Sequence, residues 1–399
     1  MKRTVNLSAV LLLFVLFAGQ VFGQADKTKG FVFTEKVRLP ATCVKDQYRS
    51  GTCWSFSSLS FIEAEMLRLK KETTDLSEMF VVNTCYKDKA EKYVRMHGNL
   101  NFGGGGAFHD AFYTMKNYGI VPEEAYKGLN YGTEGHVHGE LDEVLSSFVK
   151  AVVKNENKTL STAWKKAYDA VVDSYLGAIP QKFNYKGKEY TPKTFAKEYV
   201  GLNPDDYVEL TSFSHHPFYS KFIIEIPDNW LWDEVYNVPL KEMGEIIDNS
   251  LNNGYSVAWG ADVSHKGFAY SKGVAVIPDL KVDNKAGLEQ AKWESMSIKE
   301  KEDELYKLDG PVKEKVITQE MRQIAFDNYS TTDDHGMLIV GIAFDQNGTK
   351  YYIVKNSWNE NSLYKGYFYA SEAFVLLQTT DIMINKNAIP GPIKQKLGL

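Results

Sequence analysis

Gln47-Tyr-Arg-Ser-Gly-Thr-Cys-Trp-Ser-Phe56 marks the point where an extended segment gives way to a helix. Upstream, Phe31 to Gln47 reads as extended, with Pro40 as a breaker. Downstream, Leu59, Ile62, Met66 and Leu69 recur at spacings of three and four, with Glu63, Arg68 and Lys70 on other faces. That pattern predicts an amphipathic helix from about Cys53 to Lys71. A thiol in the first turn of such a helix meets exposed backbone N–H groups and the positive end of the dipole, and both favour thiolate. Gly51 permits the sharp turn just before it. A single cysteine is more often a buried structural residue than a nucleophile. Cys53 therefore needs partners from elsewhere in the chain.

Those partners come from the last third. His335 leads into the apolar run Gly336 to Phe344, a turn follows at Asp345-Gln-Asn-Gly348, and Lys350-Tyr-Tyr-Ile-Val-Lys355 runs into Asn356. Asn-Gly between two apolar runs predicts a β-hairpin. With a four-residue loop Phe344 opposes Thr349 and Met337 opposes Asn356, so His335 lies two residues along on the same face. His335 and Asn356 are expected to meet as a diagonal pair unless a bulge flips the register. An imidazole takes the thiol proton and later returns it to a leaving amine. An amide oxygen that accepts from one ring N–H fixes the tautomer. Gln47, six residues before Cys53, is the candidate second donor to an oxyanion beside the Cys53 backbone N–H. Trp358 is placed to cover the His–Asn contact and exclude water.

Gln47 to Phe56, Asp334-His335-Gly336 and Lys355-Asn356-Ser357-Trp358 together resemble the three active-site blocks of papain-like cysteine peptidases. The resemblance implies Cys53 as nucleophile, His335 as base, Asn356 as orienting amide and Gln47 as oxyanion residue. Gly104 and Gly105 are similar to the glycine pair that binds substrate backbone, and Trp358 joins them as a binding residue. His335 lies 282 residues after Cys53, against roughly 130–150 in short papain-like enzymes. The excess fits an inserted block from Lys127 onward, a layout that resembles the bleomycin hydrolase and aminopeptidase C branch. Asn117-Tyr-Gly-Ile-Val-Pro122, Phe222-Ile-Ile-Glu-Ile-Pro-Asp-Asn-Trp230 and Gly366-Tyr-Phe368 extend the likeness over most of the chain. The branch implies an aminopeptidase whose C-terminal arm ends in the cleft, often within a homo-oligomeric hexamer. Here the tail, Ile389 to Leu399, lacks the usual aromatic ending, and Asn359 stands where a glycine is common. Asp334 sets a carboxylate beside the base.

The remaining sequence bounds this reading. With 399 residues, 44% hydrophobic and 13% aromatic, the chain can build a large core or two lobes around a cleft. A net charge of -5 gives no basic footprint for nucleic acid. Lys2 and Arg3, the apolar run Val10 to Phe17 and Val21-Phe22-Gly23 read as a cleavable export signal, followed by a periplasmic or secreted chain with no membrane span. Its removal deletes two positive and no negative residues, taking the charge from -5 to -7. Of the three cysteines, Cys43 and Cys85 are candidates for a disulfide or for two buried thiols, with Cys53 free. Ser77 is placed to cap a helix through Tyr93, and Phe108 to Asn117 reads as a further helix. His136-Val-His138 and His215-His216 show no third ligand, so no metal is expected, and no cofactor. Gly103 to Gly106 lacks the Gly-Lys-Ser/Thr of a phosphate loop. The expected architecture is an α+β, papain-like, two-lobe fold. Residues 1–23 form the signal, 24–126 a helical lobe with the nucleophile, 127–210 a mainly helical insertion and 211–399 a β-rich lobe. The expected function is thiol hydrolysis of peptides, by an aminopeptidase more than an endopeptidase; a catalytically inactive binding protein on the same scaffold is the alternative from another class.

Overall fold

A computed structural model describes residues 30–281 and 287–399. The export signal read over 1–23, and residues 282–286 of the charged stretch, lie outside the described residues. Helices α1 (Cys53–Arg68), α2 (Glu78–Arg95) and α3 (Phe108–Asn117) pack together on one face of a large sheet. Ser77 caps α2 as expected, its hydroxyl accepting from the Phe80 N–H at 3.1 Å. Behind α2 stand α4 (Gly139–Val153) and α5 (Ala163–Leu176), which bury Leu145, Val149, Tyr168 and Val172 in the same core. A small antiparallel hairpin, β2 (Phe183–Tyr185) with β3 (Lys188–Tyr190), completes this block, which is less uniformly helical than expected over 127–210.

The sheet has 11 strands. β1 (Phe33–Arg38), β4 (Tyr207–Thr211), β5 (Lys221–Ile223), β6 (Glu234–Asn237), β7 (Val257–Ala261), β8 (Phe268–Ala269) and β9 (Val274–Ala275) join β10 (His335–Asp345), β11 (Lys350–Lys355), β12 (Tyr367–Ser371) and β13 (Thr379–Asn385). Their order is β5-β6-β4-β13-β7-β10-β11-β12-β9-β8, with β1 also on β10. Ten of the eleven residues of β10 are buried. Its first half pairs with β7 and its second half with β1, so one edge of β10 is shared by two strands. Helices Leu240–Asn252 and Glu372–Gln378 cover the far face through Met243, Ile247, Phe374 and Val375. The result is three layers, with helices on both faces of the sheet.

One expectation needs correction, and two features go beyond the sequence reading. Phe344 faces Lys350, not Thr349, and a bulge between Ile339 and Gly341 then restores the expected register, so that Leu338 faces Lys355. The Cys43–Cys85 bridge does not form: Cys85 is buried between α2 and α3, its sulfur 3.3 Å from the Thr114 hydroxyl, while Cys43 is exposed. β1, within the span read as helical lobe, crosses to pair with β10 in the opposite lobe.

Candidate active site

The first turn of α1 lies against the start of β10, and a glycine makes the approach close. A Cβ on Gly336 would sit 2.5 Å from the Ser57 hydroxyl and 3.4 Å from Trp54 Cα. Gly336→Ala is expected to cost about 1–3 kcal/mol by forcing strand and helix apart. Gly139→Ala, where a Cβ meets nothing within 4 Å, should be silent. Thermal melts of the two variants check this; equal melting temperatures would show that the contact does not matter.

His335 and Asn356 meet as expected. Both are buried, and His335 Nε2 donates to Asn356 Oδ1 at 2.7 Å. That bond spends the Nε2 proton and leaves Nδ1 as the basic nitrogen. Asn356 Oδ1 also accepts from the Ser357 N–H at 2.7 Å. The Trp358 indole stacks on the imidazole, with ring centroids 4.7 Å apart. Gln47 is fixed from two sides: its Nε2 donates to Ser50 O at 2.9 Å and its Oε1 accepts from Ser357 Oγ at 2.6 Å. One Nε2 hydrogen remains for the cleft. Ser357, present in the quoted triplet but given no role there, thus ties Gln47 to Asn356. Asn359 follows with φ 57°, a left-handed conformation that explains why glycine suits this position and why asparagine can replace it.

Cys53, Gln47, Gly105, His335 and Trp358 line one cleft of about 370 Å³. Burial pushes the Cys53 thiol up to about 12, although the backbone N–H groups of Gly336 and Trp54 pull the other way. Burial also lowers His335 to about 4, against the bond to Asn356. The helix terminus therefore does not by itself yield the thiolate expected from the sequence, because desolvation outweighs it. A proton passed from sulfur to imidazole creates two opposite charges at once, and their attraction offsets a desolvation that either would bear alone.

The glycine run divides. The Gly104 carbonyl accepts from Trp54 Nε1 at 3.0 Å, which sets it behind the nucleophile's helix, while Gly105 faces the cleft. A Cβ on Gly105 would overlap the Asp228 carboxylate. Asp228 was hidden within the quoted stretch Phe222 to Trp230; it reaches the cleft because the buried Trp230 anchors its loop, donating from Nε1 to Asp110 Oδ2 at 2.7 Å. Elsewhere, His215 and His216 do acquire a third neighbour, Glu225, at 2.8 and 2.9 Å. Gln323 Nε2 lies 3.0 Å from His215 Nδ1 while its Oε1 accepts from the Ser214 N–H, so His215 Nε2 carries the proton toward Glu225 and is not free to ligate. The tail ends away from Cys53: Leu399 lines a separate cavity with His109, Trp232 and Lys386.

Comparison with known proteins agrees with this geometry. The model of the Peptidase C1-like family matches residues 72–301 and 295–398. The chain belongs to the Peptidase C1-like family. This C1-like chain is 24% identical to Aminopeptidase C of Lactobacillus delbrueckii subsp. lactis, covering 91% of this chain and 83% of that protein. It is 23% identical to Aminopeptidase C of Streptococcus thermophilus, covering 91% and 84%. The crystal structure of PepW from Lactobacillus rhamnosis superposes with a TM-score of 0.68 at 19% identity, over 92% of this chain and 84% of that one. The α+β, papain-like fold is shared across nearly the whole C1-like chain.

Proposed function

We propose that this C1-like chain is a cysteine aminopeptidase that hydrolyses peptides through a thioester on Cys53. The observation that carries the reading is the buried His335–Asn356 bond at 2.7 Å in the cleft that also holds Cys53. With Nε2 committed, Nδ1 takes the thiol proton, and the sulfur attacks the scissile carbonyl carbon. The oxyanion that forms is met by the free Gln47 Nε2 hydrogen and by the Cys53 N–H, which has no intrahelical acceptor at the first position of α1. The imidazolium then protonates the departing amine, and a water activated by the same ring releases the acyl group. The names of the relatives support the amino-terminal restriction.

The test pairs unblocked and N-acetylated peptides of the same sequence, in reductant, with iodoacetamide labelling of the full chain. An aminopeptidase cleaves the unblocked member at least about tenfold faster, the scale of one hydrogen bond to a charged group, and loses activity as Cys53 is alkylated. Equal cleavage of both members would rule out the amino-terminal restriction. Activity that persists on a fully alkylated Cys53 would end the thiol mechanism.

A further inference from the structure

Next to the Cys53 sulfur a second, smaller cavity of about 20 Å³ opens off the cleft, and four aspartates reach it: Asp228, Asp333, Asp334 and Asp381. Asp228 and Asp334 also line the cleft itself, so they stand at the junction of the two spaces. Two of the four bury an oxygen that accepts no hydrogen bond. Asp381 is 3% exposed, and its Oδ2 has no donor; its Oδ1 accepts from the Thr380 hydroxyl at 2.8 Å. Asp333 makes no hydrogen bond or ion pair among the described residues, and its Oδ2 is buried. Buried carboxylates without partners are costly, and such groups ordinarily find a cation or a donor.

Among the described residues the neighbouring cations are already engaged elsewhere. Lys89, beneath the glycine run, gives its ammonium to the carbonyls of Gly103, at 3.1 Å, and Gly105. His109 is paired to Glu209 at 2.8 Å. Asp381 also faces Glu209, carboxyl to carboxyl in a side-chain hydrogen bond, and burial and that neighbour raise it well above the usual carboxylate range, which leaves Asp333 as the acid without a partner. Burial and then Asp228 push the Asp333 carboxyl up to about 8, and the pull of the His109 imidazole, already paired to Glu209, does not offset them.

The dimensions narrow the ligand. A space of about 20 Å³ holds one water-sized group, since a single water needs roughly 10–15 Å³ by the same measure. A primary ammonium has that size; a guanidinium does not. The acids do not converge as metal ligands would, because His215, His216 and Glu225 form the only such close set among the described residues.

We propose that this acidic cavity anchors a primary ammonium group of the peptide substrate, with Asp333 as its main contact and Asp228 and Asp334 at the mouth. The inference rests on the peptidase reading above and adds the substrate class: peptides that present a positive amine within reach of the scissile carbonyl. The amine has two sources, a free N-terminus or a lysine side chain.

Both are separated by calorimetric titration of the full chain with three amino alcohols that have no bond to cleave. Leucinol offers the α-ammonium, N-acetyl-lysinol only a side-chain ammonium, and N-acetylleucinol neither. One of the two cationic probes should bind about 10- to 100-fold more tightly than N-acetylleucinol, the range for hydrogen bonds to a charged group. That ratio should fall to within about threefold in Asp333→Asn, and to a lesser extent in Asp228→Asn, which also serves if the first variant does not fold. Equal affinity for all three probes, or an undiminished ratio in the folded variants, overturns the proposal. Because the probes are not substrates, the result stands apart from the mechanism. Absent turnover with an unreactive Cys53 would defeat the thiol mechanism and leave the binding result standing, whereas equal affinity for the three probes in a chain that cleaves unblocked peptides would defeat the anchor alone.

Discussion

Cys53→Ala will lower kcat for peptide hydrolysis by about 10⁶, and His335→Ala will do nearly the same. The expected size follows from hydrolases whose nucleophile and base act as one unit, where removing either costs about as much as removing both. The double variant should therefore be no worse than either single one, and an additive double loss would mean that the two residues do not cooperate. Neither change should unfold the protein. The Cys53 sulfur accepts from the N–H groups of Gly336 and Trp54, and His335 contributes one side-chain bond, to Asn356. The wild-type pH profile supplies a second check on the same pair. Burial holds the imidazole near 4, so the ring is neutral, and able to accept the thiol proton, at any pH above that value. Activity should fall on the acid side only as pH approaches 4; a rate already halved near pH 6.5 would place the base in solvent, in conflict with the stacked Trp358.

The second large effect concerns stability. Glu63, on the inner face of α1 and 1% exposed, is a hub of buried charge. Its Oε1 accepts from Lys45 Nζ at 3.2 Å and from the Leu76 N–H at 2.9 Å, and its Oε2 accepts from Thr42 Oγ1 at 2.5 Å. Thr42 in turn accepts from Lys355, 4% exposed, whose Nζ also donates to Ser60 Oγ at 2.7 Å. Lys355 immediately precedes Asn356, so this network joins α1, the segment leading to Gln47 and the end of β11. Glu63→Ala breaks the buried pair with Lys45 and removes the carboxylate that Lys355 reaches through Thr42, and should cost about 3–5 kcal/mol, the usual penalty for breaking a buried charge pair from one side. Urea unfolding measures it. A loss below about 1 kcal/mol, the scale of an exposed pair, would mean that water reaches the network and the seam is not dry.

The sequence and the structure can be compared residue by residue. Helix α3 falls where Phe108 to Asn117 was expected, and α1 starts at Cys53, because apolar spacing is a local signal. Strand β5 takes up only Lys221 to Ile223 of an apolar run that continues to Ile226, since only those three residues find a partner in β6. Pairing is a property of two segments, and no window of sequence contains both. The same limit hid the bulge at Ile339–Gly341 and the crossing of β1. At the site, Cys53, His335 and Asn356 each sit in a short stretch with a recognisable context, so the His335–Asn356 bond and the cleft shared with Cys53 could be anticipated. Asp228 and Asp333 could not. Their importance comes from what surrounds them, an excess of negative charge in a small enclosed space, and Asp334 drew attention only by standing next to the base.

The crossing of β1 bears on how the protein is made. Phe33 to Arg38 pair with Gly341 to Asp345, so the first strand to leave the ribosome has no partner until some 300 residues more have been added. At about 5–20 residues per second, that interval is about 15–60 s. A thiol that appears early in synthesis thus stays without its imidazole until the sheet closes near the end, and the ribosome-bound fragment has no means of cutting the other nascent chains around it.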